Sequence, residues 1–153
     1  MAEITTEDTS TILNILKQIP LMEELNEEDH KEIIKHITLE YFPKDYIIFR
    51  EGDAGDAFYI IKKGMIRVYH ENEDPTEEKD VANLGSEEFF GEMALISEKP
   101  RNATVKTLEE TEVFRLMKDD FINLVSSTPG MANKISDKFL DRFKQNIREE
   151  LND

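Results

Sequence analysis

The chain has 153 residues, 39% of them hydrophobic and 35% charged, and 34 acids against 19 bases leave a formal net charge of -15. That length carries one domain with a real core, while the acidic balance repels nucleic acid and anionic membranes, excluding phosphate-driven DNA affinity as a global effect. The absence of cysteine excludes disulfides, thiolate catalysis and cysteine-based metal sites.

The opening segment MAEITTEDTS is polar and acidic. No apolar run in the chain approaches the roughly 20 residues that span a bilayer. A soluble, cytoplasmic protein is the expectation. Thr9 or Ser10 is placed to cap a first helix carrying Ile12, Leu13, Ile15 and Leu16, which Pro20 ends; Asn26 opens a second, with Ile33, Ile34 and Ile37 on one side. Residues 1–37 therefore read as a helical lead-in.

From residue 38 to residue 117 the apolar spacing shortens to runs broken by turn signals: LEYF, YIIF, AFYII, MIRVY, VANL, EFF, ATVKT and EVFRLM. Eight short strands without helical crossovers predict a mainly β fold, an eight-stranded antiparallel roll of jelly-roll type. Gly52, Gly55, Gly64 and Gly85 fall between strands and read as turn punctuation. DPTEE, residues 74–78, reads as a solvated hairpin end. Residues 118–153 return to helical spacing, with DDFINLV, a break at Pro129 and Gly130, and then Met131, Ile135, Phe139, Phe143, Ile147 and Leu151 on one apolar side.

Inside the β region, FFGEMALISEKPRNATV (residues 89–105) holds Glu92 and Arg101 among apolar and small residues. Met93 to Ile96 favour one helical turn, and Pro100 stops it. Gly91 then stands near a helix N-terminus, where exposed N–H groups favour an anion and small Gly91 and Ala94 let one approach. Arg101 adds two parallel hydrogen bonds to a phosphate. A carboxylate only accepts, so Glu92 suits a sugar hydroxyl. Those roles describe a sugar phosphate; the alternative is a partly buried Glu92–Arg101 salt bridge.

This stretch resembles the phosphate-binding cassette of the cyclic nucleotide-binding domain family, FGE-x-A-L-x3-to-6-PR-x-AT-V, through Phe90, Gly91, Glu92, Ala94, Leu95, Pro100, Arg101, Ala103, Thr104 and Val105. IIFREGDAGDAFYIIKKGMIRVY (residues 47–69) resembles the same family's glycine-punctuated strands. The family includes kinase regulatory subunits, nucleotide-gated channels and catabolite activator proteins. The resemblance implies a single binding domain with a cassette at 90–105. It assigns Glu92 to the ribose 2′-hydroxyl, Arg101 to the cyclic phosphate, and the backbone around Gly91, Met93 and Ala94, with Asn102 and Ala103, to the phosphate site. The ligand the resemblance implies is cAMP or cGMP. Asn102 offers both donor and acceptor, so it leaves the base open. The stretch Ser97–Glu98–Lys99 departs from the pattern, lacking a glycine and adding an acid that Lys99 is placed to offset.

By the same resemblance a C-terminal helix caps the base, with Phe139, Phe143 or Arg142 as the covering residue; the plainer alternative packs these phenylalanines on the roll or on a second copy. His30, His36 and His70 form no sequence cluster of the kind metal-binding rolls use. They read as surface or half-buried positions. With no cofactor, metal or catalytic constellation in view, the expected function is a non-enzymatic regulatory domain whose C-terminal helices move on binding. It would signal to a separate effector protein, without nucleic-acid or membrane partners, and the C-terminal helix offers a route to a homodimer. The competing reading is a degenerate interaction domain of the same fold that ignores nucleotide.

Overall fold

The computed structural model describes residues 4–71 and 79–135. The chain divides into two compact units, one of residues 1–4 and 37–118 and one of residues 5–36 and 119–153.

In the second unit, helix α1 spans Thr6–Leu16 and α2 spans Glu27–Ile34. The first helix starts earlier than the Thr9 or Ser10 cap the sequence suggested. Thr5 accepts the Asp8 N–H and Asp8 accepts the Thr5 N–H, each at 3.0 Å, so a reciprocal capping box settles two orphan donors and draws Thr9 and Ser10 into the helix. Asn26 caps α2 as expected, through the same exchange with Asp29 at 2.8 and 3.2 Å. Pro20 opens a 3-10 turn, Pro20–Met22, where its missing N–H costs nothing. Ile12, Leu16, Ile19, Met22 and Ile33 are buried. His30 is buried too, at 1% exposure, rather than lying at the surface. Its Nε2–H donates to the Met22 carbonyl at 2.9 Å, which meets the hydrogen-bonding need of one ring nitrogen.

Helix α3, Lys118–Ser127, leads through Gly130, at φ 83°, to a helical segment at 131–135. There Lys134 Nζ donates to Asp29 at 2.9 Å. Burial pushes the Asp29 carboxyl upward, but the Lys134 and Asn26 hydrogen bonds outweigh it and hold it below its ordinary 3.8. A depressed carboxylate contributes stability above its unfolded value and loses it as pH falls through the folded one. Lys134 is 40% exposed, so screening limits the pair to under about 1 kcal/mol. Lys134→Met should lower the melting temperature slightly at neutral pH, and that gap should close as acid titrates Asp29; a gap independent of pH would deny the pair its role.

The first unit is the roll. Its strands are β1 (Thr38–Phe42), β2 (Ile47–Phe49), β3 (Ala57–Lys63), β4 (Ile66–His70), β5 (Lys79–Leu84), β6 (Phe89–Phe90), β7 (Thr104–Thr107) and β8 (Thr111–Met117). They form two four-stranded antiparallel sheets, ordered β1-β8-β3-β6 and β2-β7-β4-β5. Ala57, Tyr59, Ile61, Ile66, Phe90, Val105 and Val113 make the core. The alternate residues Phe58 and Ile60 are also 1% exposed, which is why β3 reads as a continuous apolar run rather than an alternating one.

Gly64, at φ 118°, makes the β3–β4 turn. A Cβ there would lie 2.5 Å from Thr111 Oγ1 and 2.7 Å from the Glu110 carbonyl oxygen, so only glycine fits. Strand β2 carries an irregularity: Ile47 pairs with Lys106 and Phe49 with Val105. Both Ile48 and Phe49 consequently pack against the core, as a bulge permits and regular alternation does not.

Candidate functional site

The cassette is built where β6 hands the chain to β7. Gly91 adopts φ 80°, and Glu92–Leu95 forms a single 3-10 turn behind it. The helical turn expected at Met93–Ile96 is thus tighter and one residue earlier. Ala94 N–H donates to the Gly91 carbonyl at 3.1 Å, and Ile96 N–H to that of Met93 at 3.1 Å. Ser97 Oγ accepts the Lys99 N–H at 3.0 Å, shaping the link to Pro100. Glu98, the extra acid, pairs at 2.8 Å with Lys118, whose Nζ also donates to the Ser97 carbonyl at 2.9 Å. A cation that offsets Glu98 therefore comes from the end of the roll.

Arg101 is held from both ends. Its backbone N–H donates to the Asp53 carbonyl at 2.7 Å, and its carbonyl accepts the Gly52 N–H at 2.8 Å. The side chain folds inward, leaving the residue 8% exposed. Nη2 donates to the Ala57 carbonyl at 2.7 Å and Nη1 reaches the Gly91 carbonyl at 3.5 Å. Asp56 Oδ1 lies 3.7 Å from Nη2. Burial pulls the guanidinium pKa down, against Tyr59, Asp56 and Asp53, which raise it; an arginine nonetheless keeps its charge. The acid beside Arg101 is Asp56, not Glu92. The salt bridge between the two cassette charges does not form, and Glu92 stands half-buried in the 3-10 turn.

The space around the guanidinium is made by glycine. A Cβ on Gly91 would fall 2.7 Å from Nη1, and one on Gly55 would sit 3.0 Å from the Ala94 Cβ and 3.7 Å from Arg101 Nε. Gly55 thus lies between strands, as expected, and also packs against Ala94 and Arg101. Nε is buried and has no hydrogen-bond partner among the described residues. A buried charged donor left open is costly; an anion arriving at that edge would satisfy it. Ala103 is buried and Asn102 exposed, with Thr104 Oγ1 accepting the Glu51 N–H at 2.9 Å. Gly91, Glu92, Met93, Ala94, Arg101, Asn102 and Ala103 thus lie on one connected cassette.

Phe139, Arg142 and Phe143 lie outside the described residues. Among the described residues no group of three or more acids and histidines is placed to hold a metal, and no helix is long and apolar enough to cross a membrane. Sequence reasoning missed Asp53, Asp56, Ala57 and Phe49. The signal for Asp53 and Asp56 was present in EGDAGDAF, an acid-and-glycine loop entering a strand. Ala57 acts through its carbonyl, which residue type does not advertise.

A cyclic nucleotide-binding domain model matches residues 39–128. The chain is 28% identical over 141 residues to the cGMP-dependent protein kinase egl-4 of Caenorhabditis elegans, covering 92% of this chain and 18% of the kinase. It is 33% identical over 140 residues to a cyclic nucleotide-gated potassium channel of Rhizobium etli, covering 92% and 38%. The structure of the Thermus thermophilus catabolite activator protein superimposes with a TM-score of 0.63 at 28% identity, over 86% of this chain and 61% of that one. The chain spans less than two thirds of the length of each of these proteins. The family's fold, the eight-stranded roll with flanking helices, and the phosphate-binding cassette expected from FGE and PR coincide here in one chain: it belongs to the cyclic nucleotide-binding domain family.

Proposed function

We propose that the chain binds a cyclic mononucleotide, cAMP or cGMP, as a non-enzymatic regulatory module. The observation that carries this reading is the buried Arg101 guanidinium, whose Nε has no hydrogen-bond partner among the described residues, seated in the room that the missing side chains of Gly55 and Gly91 leave beside Ala94. The cyclic phosphate takes Arg101, with the backbone around Gly91, Met93, Ala94, Asn102 and Ala103. A phosphate supplies acceptors to an arginine edge that already spends Nη2 on Ala57. Glu92, half-buried and not committed to Arg101, takes the ribose 2′-hydroxyl as an acceptor. The C-terminal helices, Phe139, Arg142 and Phe143 included, move to cover the base and pass the signal to a separate effector protein in the cytoplasm, with dimerisation through the same helix as a further route.

Calorimetric titration of the purified chain with cAMP and cGMP tests the reading directly. Neither heat nor a shift in melting temperature at millimolar nucleotide would overturn it in favour of an interaction domain that ignores nucleotide. Glu92 has its own test. Wild type should prefer the ribonucleotide over its 2′-deoxy analogue by roughly tenfold or more, because the analogue leaves the half-buried carboxylate, covered by the ligand, without the hydroxyl it accepts, and Glu92→Gln should lose part of that preference. Equal discrimination by both proteins would move Glu92 to a structural role.

A further inference from the structure

The Arg101 guanidinium also lies over an aromatic ring. Its Cζ lies 4.0 Å from the centroid of the Phe49 ring. That ring belongs to an aromatic group, 6.1 Å from Tyr59 and 6.0 Å from Phe90, which are themselves stacked at 5.0 Å. Phe49 reaches this position because the irregularity at Ile48 turns two consecutive residues of β2 inward.

We infer that Phe49 is a positioning residue for the anion site: it supports the guanidinium by its face and so presents the edge, Nε included, to the ligand. One general preference and one observed contact give that direction. Guanidinium hydrogen bonds run in its plane, whereas an aromatic ring engages it from above, so Phe49 and a phosphate do not compete for the same side. In addition, Nη2 is fixed to Ala57 at 2.7 Å while the Nη1 contact to Gly91 is long, at 3.5 Å. One short bond leaves rotation about its own axis, and the ring removes it. The ring's negative face also compensates part of the charge that burial strips of water.

This inference rests on the nucleotide reading, so the test separates the two. Phe49→Leu keeps an apolar side chain but no ring face; Phe49→Tyr keeps the ring. Calorimetry with cAMP and cGMP should show affinity falling about five- to thirtyfold in Phe49→Leu and within about threefold of wild type in Phe49→Tyr. In an Arg101→Met background the Phe49→Leu effect should vanish, because there is no guanidinium to position. Unchanged affinity in Phe49→Leu, or an equal loss in the Arg101→Met background, overturns the inference. If wild type binds neither nucleotide, the nucleotide reading fails on its own, and hydrogen exchange of the Arg101 Nε–H decides the positioning role. Exchange that accelerates at least about tenfold in Phe49→Leu and not in Phe49→Tyr supports it; equal exchange in all three proteins overturns it.

Discussion

Arg101→Ala should lower nucleotide affinity by roughly ten- to a hundredfold, the consequence of removing a charge-assisted phosphate contact worth about 1.5–3 kcal/mol. The same substitution acts on the unliganded protein. It withdraws the 2.7 Å bond from the Ala57 carbonyl and the cation from Asp56, leaving a buried acceptor whose desolvation costs about 1–3 kcal/mol. Against this, it removes a buried charge and an Nε that has no partner among the described residues, so the loss of stability should be a smaller free energy than the loss of binding. Calorimetry and thermal melts on one preparation separate the two effects. A variant that binds as wild type does would take the phosphate away from Arg101 and with it the proposed ligand.

The second large effect is expected at Gly91, by a different route. At φ 80° an alanine pays about 1–2 kcal/mol for the left-handed backbone, and its Cβ would meet Nη1 at 2.7 Å. Because that neighbour is the end of a side chain, the protein can fold by pushing the guanidinium aside. The cost then falls on binding: Gly91→Ala should retain the roll, lose stability by about 1–3 kcal/mol, and weaken nucleotide binding by roughly tenfold or more. Gly55→Ala offers a contrast, since its Cβ meets Ala94 at 3.0 Å and Nε only at 3.7 Å. It should disturb the guanidinium less. Circular dichroism establishes the retained fold, and a Gly91→Ala variant with wild-type affinity would contradict this geometry.

The eight strands were legible because each is a short apolar run ended by a residue suited to a turn, and those signals are local. Gly64 is an example: its position between AFYII and MIRVY announces the turn, and its φ of 118° explains it. Helix starts were legible only to the extent that caps are unique. Asn26 had no competitor, whereas TTEDTS offers several hydroxyls and the reciprocal Thr5–Asp8 exchange prevails. In the site, Gly91, Glu92 and Arg101 could be read from the cassette, because their chemistry is carried by residue type. The surroundings of Arg101 could not. Ala57 contributes a carbonyl 44 positions away, Phe49 depends on an irregular pairing of β2 with β7, and Gly55 matters for the atom it lacks. Each of these arises from tertiary juxtaposition, on which local spacing carries no information.

Arg101 joins its own segment to one that is distant in sequence: Gly52 and Asp53 at its backbone and Ala57 at its side chain. These contacts close long loops, and loop closure of that kind comes late in the folding of β topologies. The anion site therefore has no precursor in a partly folded chain. A ligand that recognises it stabilises only the finished roll, so it should slow unfolding while leaving the refolding rate unchanged. A nucleotide bound as proposed would then act as a kinetic guard on the folded state, extending the lifetime of the protein without helping it to form.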